Sequence, residues 1–178
     1  VVEKLSLGDT FTVDSIKYKV TDLATKTVEV IQNSYKQVNM VIPETVTYAG
    51  NTFSVTAIGD WAFAYCNSLS SITIPNSVTA IGDFAFSYCS SITSITIPNS
   101  VTAIGGYAFS DCSSITSITV PNSVTAIGEG TFSYCSNLTS ITIPSSVTSI
   151  SEFMFYYCTA LTSINLPNSV TSIDNNVF

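Results

Sequence analysis

The stretch Ile72-Thr73-Ile74-Pro75-Asn76-Ser77-Val78-Thr79-Ala80-Ile81-Gly82-Asp83-Phe84-Ala85-Phe86 returns almost unchanged at 95–109, 118–132 and 141–155, each time 23 residues on. A fixed period of this length is the mark of a solenoid, in which each repeat packs only on its neighbours. Chain length then counts coils rather than domains. Regular units run over 55–77, 78–100, 101–123, 124–146 and 147–169, with a partial unit at 170–178. The expected architecture is a mostly β, right-handed parallel solenoid of five to six coils. Residues 1–43 form an N-terminal β cap and residues 44–178 the solenoid.

Within a unit the apolar positions keep their kind: Val78, Ile81, Phe86, Cys89, Ile92, Ile95 and Ile97 in the second. One coil buries too little to offset the entropy of ordering itself, so coils must stack. Ile92-x-x-Ile95-x-Ile97 reads as a strand whose leucine-type positions point inward. Pro98 stops it, since proline cannot donate to a ladder, and Asn99-Ser100 turns the corner. Val78-Thr79-Ala80-Ile81 is a second short extended piece. Gly82 breaks it, and Asp83 is expected to cap a brief helical turn from Phe84 to Tyr88. If the position shared by Gly59, Gly82, Gly105 and Gly128 needs positive φ, Ser151 there is mildly strained and Asp174 less so.

The first forty residues carry all five lysines and alternate charged with apolar positions, as a sheet with one wet face does. Phe11–Val13 and Ile16–Val20 read as a hairpin about Asp14-Ser15, and 27–31 as a third strand. A turn is expected at Asn33-Ser34-Tyr35-Lys36 before an extended piece from Val38 to Ile42. Val41-Ile42-Pro43 already matches Thr73-Ile74-Pro75, and Ala49-Gly50-Asn51 marks a hairpin inserted into the first coil.

Composition excludes whole classes of function. The chain has 178 residues, net charge −7, no histidine and no arginine. A phosphate backbone needs clustered cations, so nucleic acid is excluded, and so are anionic membrane surfaces. No apolar run reaches bilayer length, and Val1-Val2-Glu3-Lys4 is not read as a secretion signal. Without histidine or arginine, acid–base chemistry shrinks to isolated carboxylates and phenols, and no glycine-rich phosphate loop is present. The chain is read as non-enzymatic, with no cofactor and no metal.

Cys66, Cys89, Cys112, Cys135 and Cys158 form a column. In-register parallel side chains do not give the converging geometry of zinc or the facing geometry of a disulfide. Buried apolar filler fits better, and serine in place of Cys112 would then bury an unpaired hydroxyl. Asp60, Asp83, Glu129 and Glu152 share another position, where capping and solubility compete with a calcium ladder. Phe63 and its equivalents through Phe178 read as core. Trp61, Phe84, Tyr107 and Phe153 line one aromatic column; Tyr65, Tyr88, Tyr134 and Tyr157 line its neighbour and serve either as packing or as a binding stripe. Ser71, Thr73, Ser94, Thr96, Ser117, Thr119, Ser140 and Thr142 make a flat outward hydroxyl surface. Its uniformity suits a scaffold or an avidity-based adhesin.

The phrase I-P-x-S-V-T-x-I-G-x-x-A-F-x-x-C-x-x-L resembles the repeat of the BspA-like leucine-rich-repeat proteins over residues 41–178, and Ile16–Asp22 is similar to their lead-in. Ser77, Ser100 and Ser123 stand where leucine-rich repeats usually place an asparagine ladder. The resemblance implies a bacterial cell-surface or secreted protein that adheres to a host protein or glycan, including extracellular matrix. It supplies no catalytic residue. A structural spacer displaying another domain is the alternative. The fifth strand, 161–167, would form an open edge, so the expectation is either that the natural chain continues past Phe178 or that this end is covered by self-association with a second copy.

Overall fold

The computed structural model describes residues 4–32 and 35–178. It is a β-solenoid of about six turns, preceded by three antiparallel cap strands. β1 (Thr10–Val13) and β2 (Ile16–Asp22) pair antiparallel. Asp14 and Ser15 between them both take positive φ, 49° and 68°, the turn whose twist matches paired strands. β3 (Thr27–Val30) completes the cap and binds β2 through a Lys19–Glu29 ion pair of 2.9 Å. The turn expected at 33–36 falls partly outside the described residues.

β3 is where the cap becomes solenoid. It pairs parallel with β6 (Asn51–Ile58), so Val28 lies beside Val55 and Val30 beside Ile58. β5 (Thr45–Tyr48) folds back on β6 about Ala49 and Gly50, the inserted hairpin read in the sequence. β4 (Asn39–Val41) pairs parallel with β7 (Ser71–Thr73), and Val41 faces Thr73 as their matching words imply.

Two ladders then run along the solenoid. The first continues from β6 through β8 (Ala80–Ile81), β9 (Ala103–Ile104) and β11 (Ala126–Ile127), alanine on alanine and isoleucine on isoleucine. β13 (Ser149–Ile150) and β14 (Ser172–Ile173) repeat it further on. The second holds the serine–threonine strands: β4 with β7, β10 (Ser117–Thr119) with β12 (Ser140–Thr142), and a bridge from Thr142 to Asn165. It is interrupted at 94–96. The strand expected there is not formed, although Ile95 and Ile97 still point into the core.

The third side corrects the expected helical turn: no helix forms among the described residues. In each coil alternate amides go to different partners. Trp61, Phe63 and Tyr65 donate to Asp83, Ala85 and Ser87 in the next coil; Ala62, Ala64 and Cys66 donate three residues back to Gly59, Trp61 and Phe63. A helix would use every amide internally, and here half of them bind the coils together. The chain achieves this by placing Trp61, Tyr65, Phe84, Tyr88, Tyr107, Tyr134, Phe153 and Tyr157 in the left-handed region, φ 53–62°.

Gly59, Gly82, Gly105 and Gly128 therefore have a different purpose from the one their position suggests. None has positive φ. They permit contact: a Cβ on Gly82 would lie 2.7 Å from the Asp60 amide nitrogen, and one on Gly105 only 2.5 Å from that of Asp83. Asp83 does not cap its own turn either. Its Oδ1 accepts the Gly106 amide at 2.7 Å, as Asp60 Oδ1 accepts that of Asp83 at 2.8 Å, so the carboxylates tie one coil to the next. Ser151, where glycine is absent, is not strained; its Oγ donates to Ile127 O at 3.0 Å.

Phe63, Phe86, Phe109, Phe132 and Phe155 stack down the centre at 5.3–6.0 Å. Phe178 continues the stack at 5.9 Å but is exposed rather than core. All five cysteines are buried and unpaired. They do more than fill space. Cys89, Cys112, Cys135 and Cys158 donate their thiols to the carbonyls of Phe63, Phe86, Phe109 and Phe132 in the preceding coil, at 3.0–3.2 Å. A serine at Cys112 would thus find an acceptor, and the expected cost of an unpaired hydroxyl does not apply. Burial pushes the Cys89 thiol up to about 12 and that of Cys158 to about 11. Since the thiolate is the nucleophile, a thiol reagent at neutral pH should modify these cysteines only as the protein unfolds. Prompt reaction of all five in native buffer would contradict the packing.

Candidate functional site

Each coil presents three sides, and their chemistry differs. On the serine–threonine side the hydroxyl-bearing positions Ser71, Thr73, Ser94, Thr96, Ser117, Thr119, Ser140 and Thr142 are all exposed. An open groove of about 710 Å3 runs over this side, with the unpaired 94–96 segment between β7 and β10. It carries no charged side chain, only hydroxyls, Asn76 and Asn99 above an isoleucine floor. Five of the eight, Thr73, Ser94, Thr96, Ser117 and Thr119, line this groove, and none of the four column tyrosines does.

The turn side is charged and aromatic. Past Lys36 the sequence holds seven carboxylates, of which six (Asp60, Asp83, Asp111, Glu129, Glu152 and Asp174) fall on this side or at its entry. Trp61 stacks on Phe84 at 4.1 Å and Phe84 on Tyr107 at 5.1 Å. Gly130 follows in that column with φ +56°, and a Cβ there would meet the Tyr107 ring at 2.2 Å, so Tyr107 fills the vacancy.

In the neighbouring column Tyr65 stacks on Tyr88 at 4.8 Å and Tyr134 on Tyr157 at 5.1 Å. These four rings are 43–58% exposed. The sequence left packing and binding open for them; they stack face to face along the coil edge with much of their surface in solvent. The positive φ explains this placement, because it turns the side chain out of the core while the adjacent Phe and Cys go in. Sequence reasoning passed over Asp111, which occupies the same position between Tyr88 and Tyr134 and shares their backbone, φ 58°. The signal was available: Asp111 interrupts an otherwise all-tyrosine column. Its carboxylate is the main influence raising the Tyr88 phenol, while its own acidity is weakened by partial burial.

No group of three or more metal-ligating side chains converges among the described residues. The carboxylates Asp60 and Asp83 are instead engaged with backbone amides.

The BspA type leucine-rich repeat region matches residues 56–178 in six copies. A leucine-rich cell surface protein from Faecalibacterium prausnitzii is 35% identical, with TM-score 0.83 over 93% of this chain and 44% of its own. A leucine-rich repeat protein from Bacteroides ovatus is 32% identical, with TM-score 0.73 over 92% of this chain and 49% of its own. The pneumococcal vaccine antigen PcpA is 25% identical, with TM-score 0.75 over 98% of this chain and 48% of its own. The chain thus spans under half the length of these three structures. No curated protein matches it by sequence. Repeat, coil geometry and family model agree: the chain belongs to the BspA-type leucine-rich-repeat family.

Proposed function

We propose that this chain is a non-enzymatic recognition segment of a bacterial cell-surface protein, and that it binds a host protein or glycan. The observation that carries the reading is the turn edge. Exposed large aromatics in a contiguous patch mark interaction surfaces, and tyrosine and tryptophan are enriched at binding interfaces. The cell-surface nature of the Faecalibacterium relative and the antigen status of the pneumococcal one support the location. The uniform hydroxyl side is the weaker candidate, because its eight positions repeat without variation and present no anchor.

The test is binding of the protein to immobilised matrix proteins and to epithelial cells, with two multiple variants. Replacing Tyr65, Tyr88, Tyr134 and Tyr157 by serine should abolish saturable binding. Replacing Ser94, Thr96, Ser117 and Thr119 by alanine should leave it within about twofold, as expected of peripheral contacts. The reverse pattern would move the site to the hydroxyl side. Absence of saturable binding by the parent would favour the spacer.

A further inference from the structure

Stacked coils repeat every ~4.8 Å, so one missing ring leaves the rings on either side roughly 10 Å apart. In the first aromatic column that vacancy, at Gly130, is filled by Tyr107. At Asp111 no ring contact bridges Tyr88 and Tyr134 among the described residues. The flanking pairs are nearly parallel, at 9° and 11° between ring planes. The two rings that border the vacancy therefore present their faces to it. Asp111 shares the φ of the tyrosines, so its side chain leaves the backbone in their direction and stands at the floor of the slot. Ser110 Oγ donates to its Oδ2 at 3.3 Å, and beyond Lys36 the sequence contains no cation that could neutralise it.

We infer that the slot between Tyr88 and Tyr134 is a seat for one cationic side chain, arginine before lysine, of a basic segment in the partner. A cation midway between the rings would lie roughly 5 Å from each, inside the ~6 Å range of a cation–π contact. Its charge would meet the Asp111 carboxylate. A guanidinium suits the site better than an ammonium because it is planar, stacks on aromatic faces and pairs with carboxylates through a fork of donors. The surroundings add no competing cation: Glu129 and Glu152 lie on the same side of the coils, and the whole solenoid past Lys36 carries only acids. Charge complementarity thus selects a basic protein segment over a neutral glycan, whose stacking on the rings would not need the carboxylate. This deepens the recognition reading and rests on it.

The experiment titrates the protein with hexa-arginine and, separately, with maltohexaose in about 0.15 M salt, where long-range attraction is screened. Tyrosine ring resonances and calorimetry are the readouts. Hexa-arginine should bind saturably and shift Tyr88 and Tyr134 ahead of Tyr65 and Tyr157. Asp111→Asn should weaken it by about tenfold. That variant keeps its fold, because asparagine tolerates positive φ. Glu129→Gln removes the same charge outside the slot and should weaken binding by less than about threefold. Equal losses in the two variants, or no saturable binding, would overturn the assignment. So would maltohexaose shifting Tyr88 equally in the parent and in Asp111→Asn. If the parent binds cells and Asp111→Asn binds them equally well, the slot is refuted while the recognition reading stands. If hexa-arginine binds as described and cells do not, the reading fails and the slot stands.

Discussion

Raising the pH from 9 to 10.5 is expected to unfold the solenoid in dilute buffer, well before the backbone itself is affected. The cause is the cysteine column. In the unfolded chain a thiol loses its proton near pH ~8.5. In the folded chain burial holds Cys89 at about 12 and Cys158 at about 11, and drives Cys112 and Cys135 upward for the same reason. The folded state therefore binds more protons than the unfolded one once pH passes the unfolded value. Stability is unaffected below that point and falls above it, until the folded thiols themselves ionise. Each thiol contributes up to ~1.4 kcal/mol per pH unit. Four of them across 1.5 units amount to roughly 8 kcal/mol, against a typical total of ~5–15 kcal/mol. Tyr35, pushed by burial to about 12, adds to the loss at the upper end. Urea unfolding at a series of pH values measures this directly, and Cys89→Ala with Cys112→Ala should remove about half of these four thiols' share of the slope. A midpoint that stays constant from pH 8 to 10.5 would show that the thiols are not buried as described.

The column also shows how far sequence alone reaches. The 23-residue period is legible because each coil must reproduce its neighbour's core, and so are the phenylalanine stack and the buried, unpaired thiols. The cap hairpin about Asp14-Ser15 and the inserted hairpin at Ala49-Gly50 are legible from alternation and turn chemistry. What the sequence conceals is the backbone of the turn side. Preferences for positive φ point to glycine, and a large aromatic is among the last residues one would place there. Yet Trp61, Phe84 and Tyr107 take it, and each keeps its ring outside the core while its amide binds the next coil. That constraint comes from the stack, not from any local segment. The same reason hid Asp111: its meaning depends on Tyr88 and Tyr134, which lie 23 residues away on either side and come into line only when the coils are superposed.

The glycine column carries the second large effect, and it separates the two explanations of why glycine is there. Gly105→Ala would place a Cβ 2.5 Å from the Asp83 amide nitrogen and 2.5 Å from the Gly82 carbonyl carbon. Those atoms are backbone and cannot step aside. The Gly105 amide is held to Ile81 O at 2.8 Å, and the adjoining Gly106 amide to Asp83 Oδ1 at 2.7 Å. Relief requires the two coils to separate, which strains both bonds and loosens the phenylalanine stack beneath them. The expected cost is about 3 kcal/mol or more, a fall in Tm of roughly 6–12 °C for a chain of this size. Gly106→Ala changes the neighbouring residue in the same turn, and its new Cβ would come no nearer than 3.4 Å, to Glu129 O. Neither glycine has positive φ, so conformational strain distinguishes them in neither direction. Alanine at 106 should be neutral, or stabilise by ~0.4–1 kcal/mol through the smaller entropy of the unfolded chain. Thermal unfolding of the two single variants gives the answer. Comparable losses would mean that backbone freedom, rather than the close approach of adjacent coils, is what reserves this column for glycine.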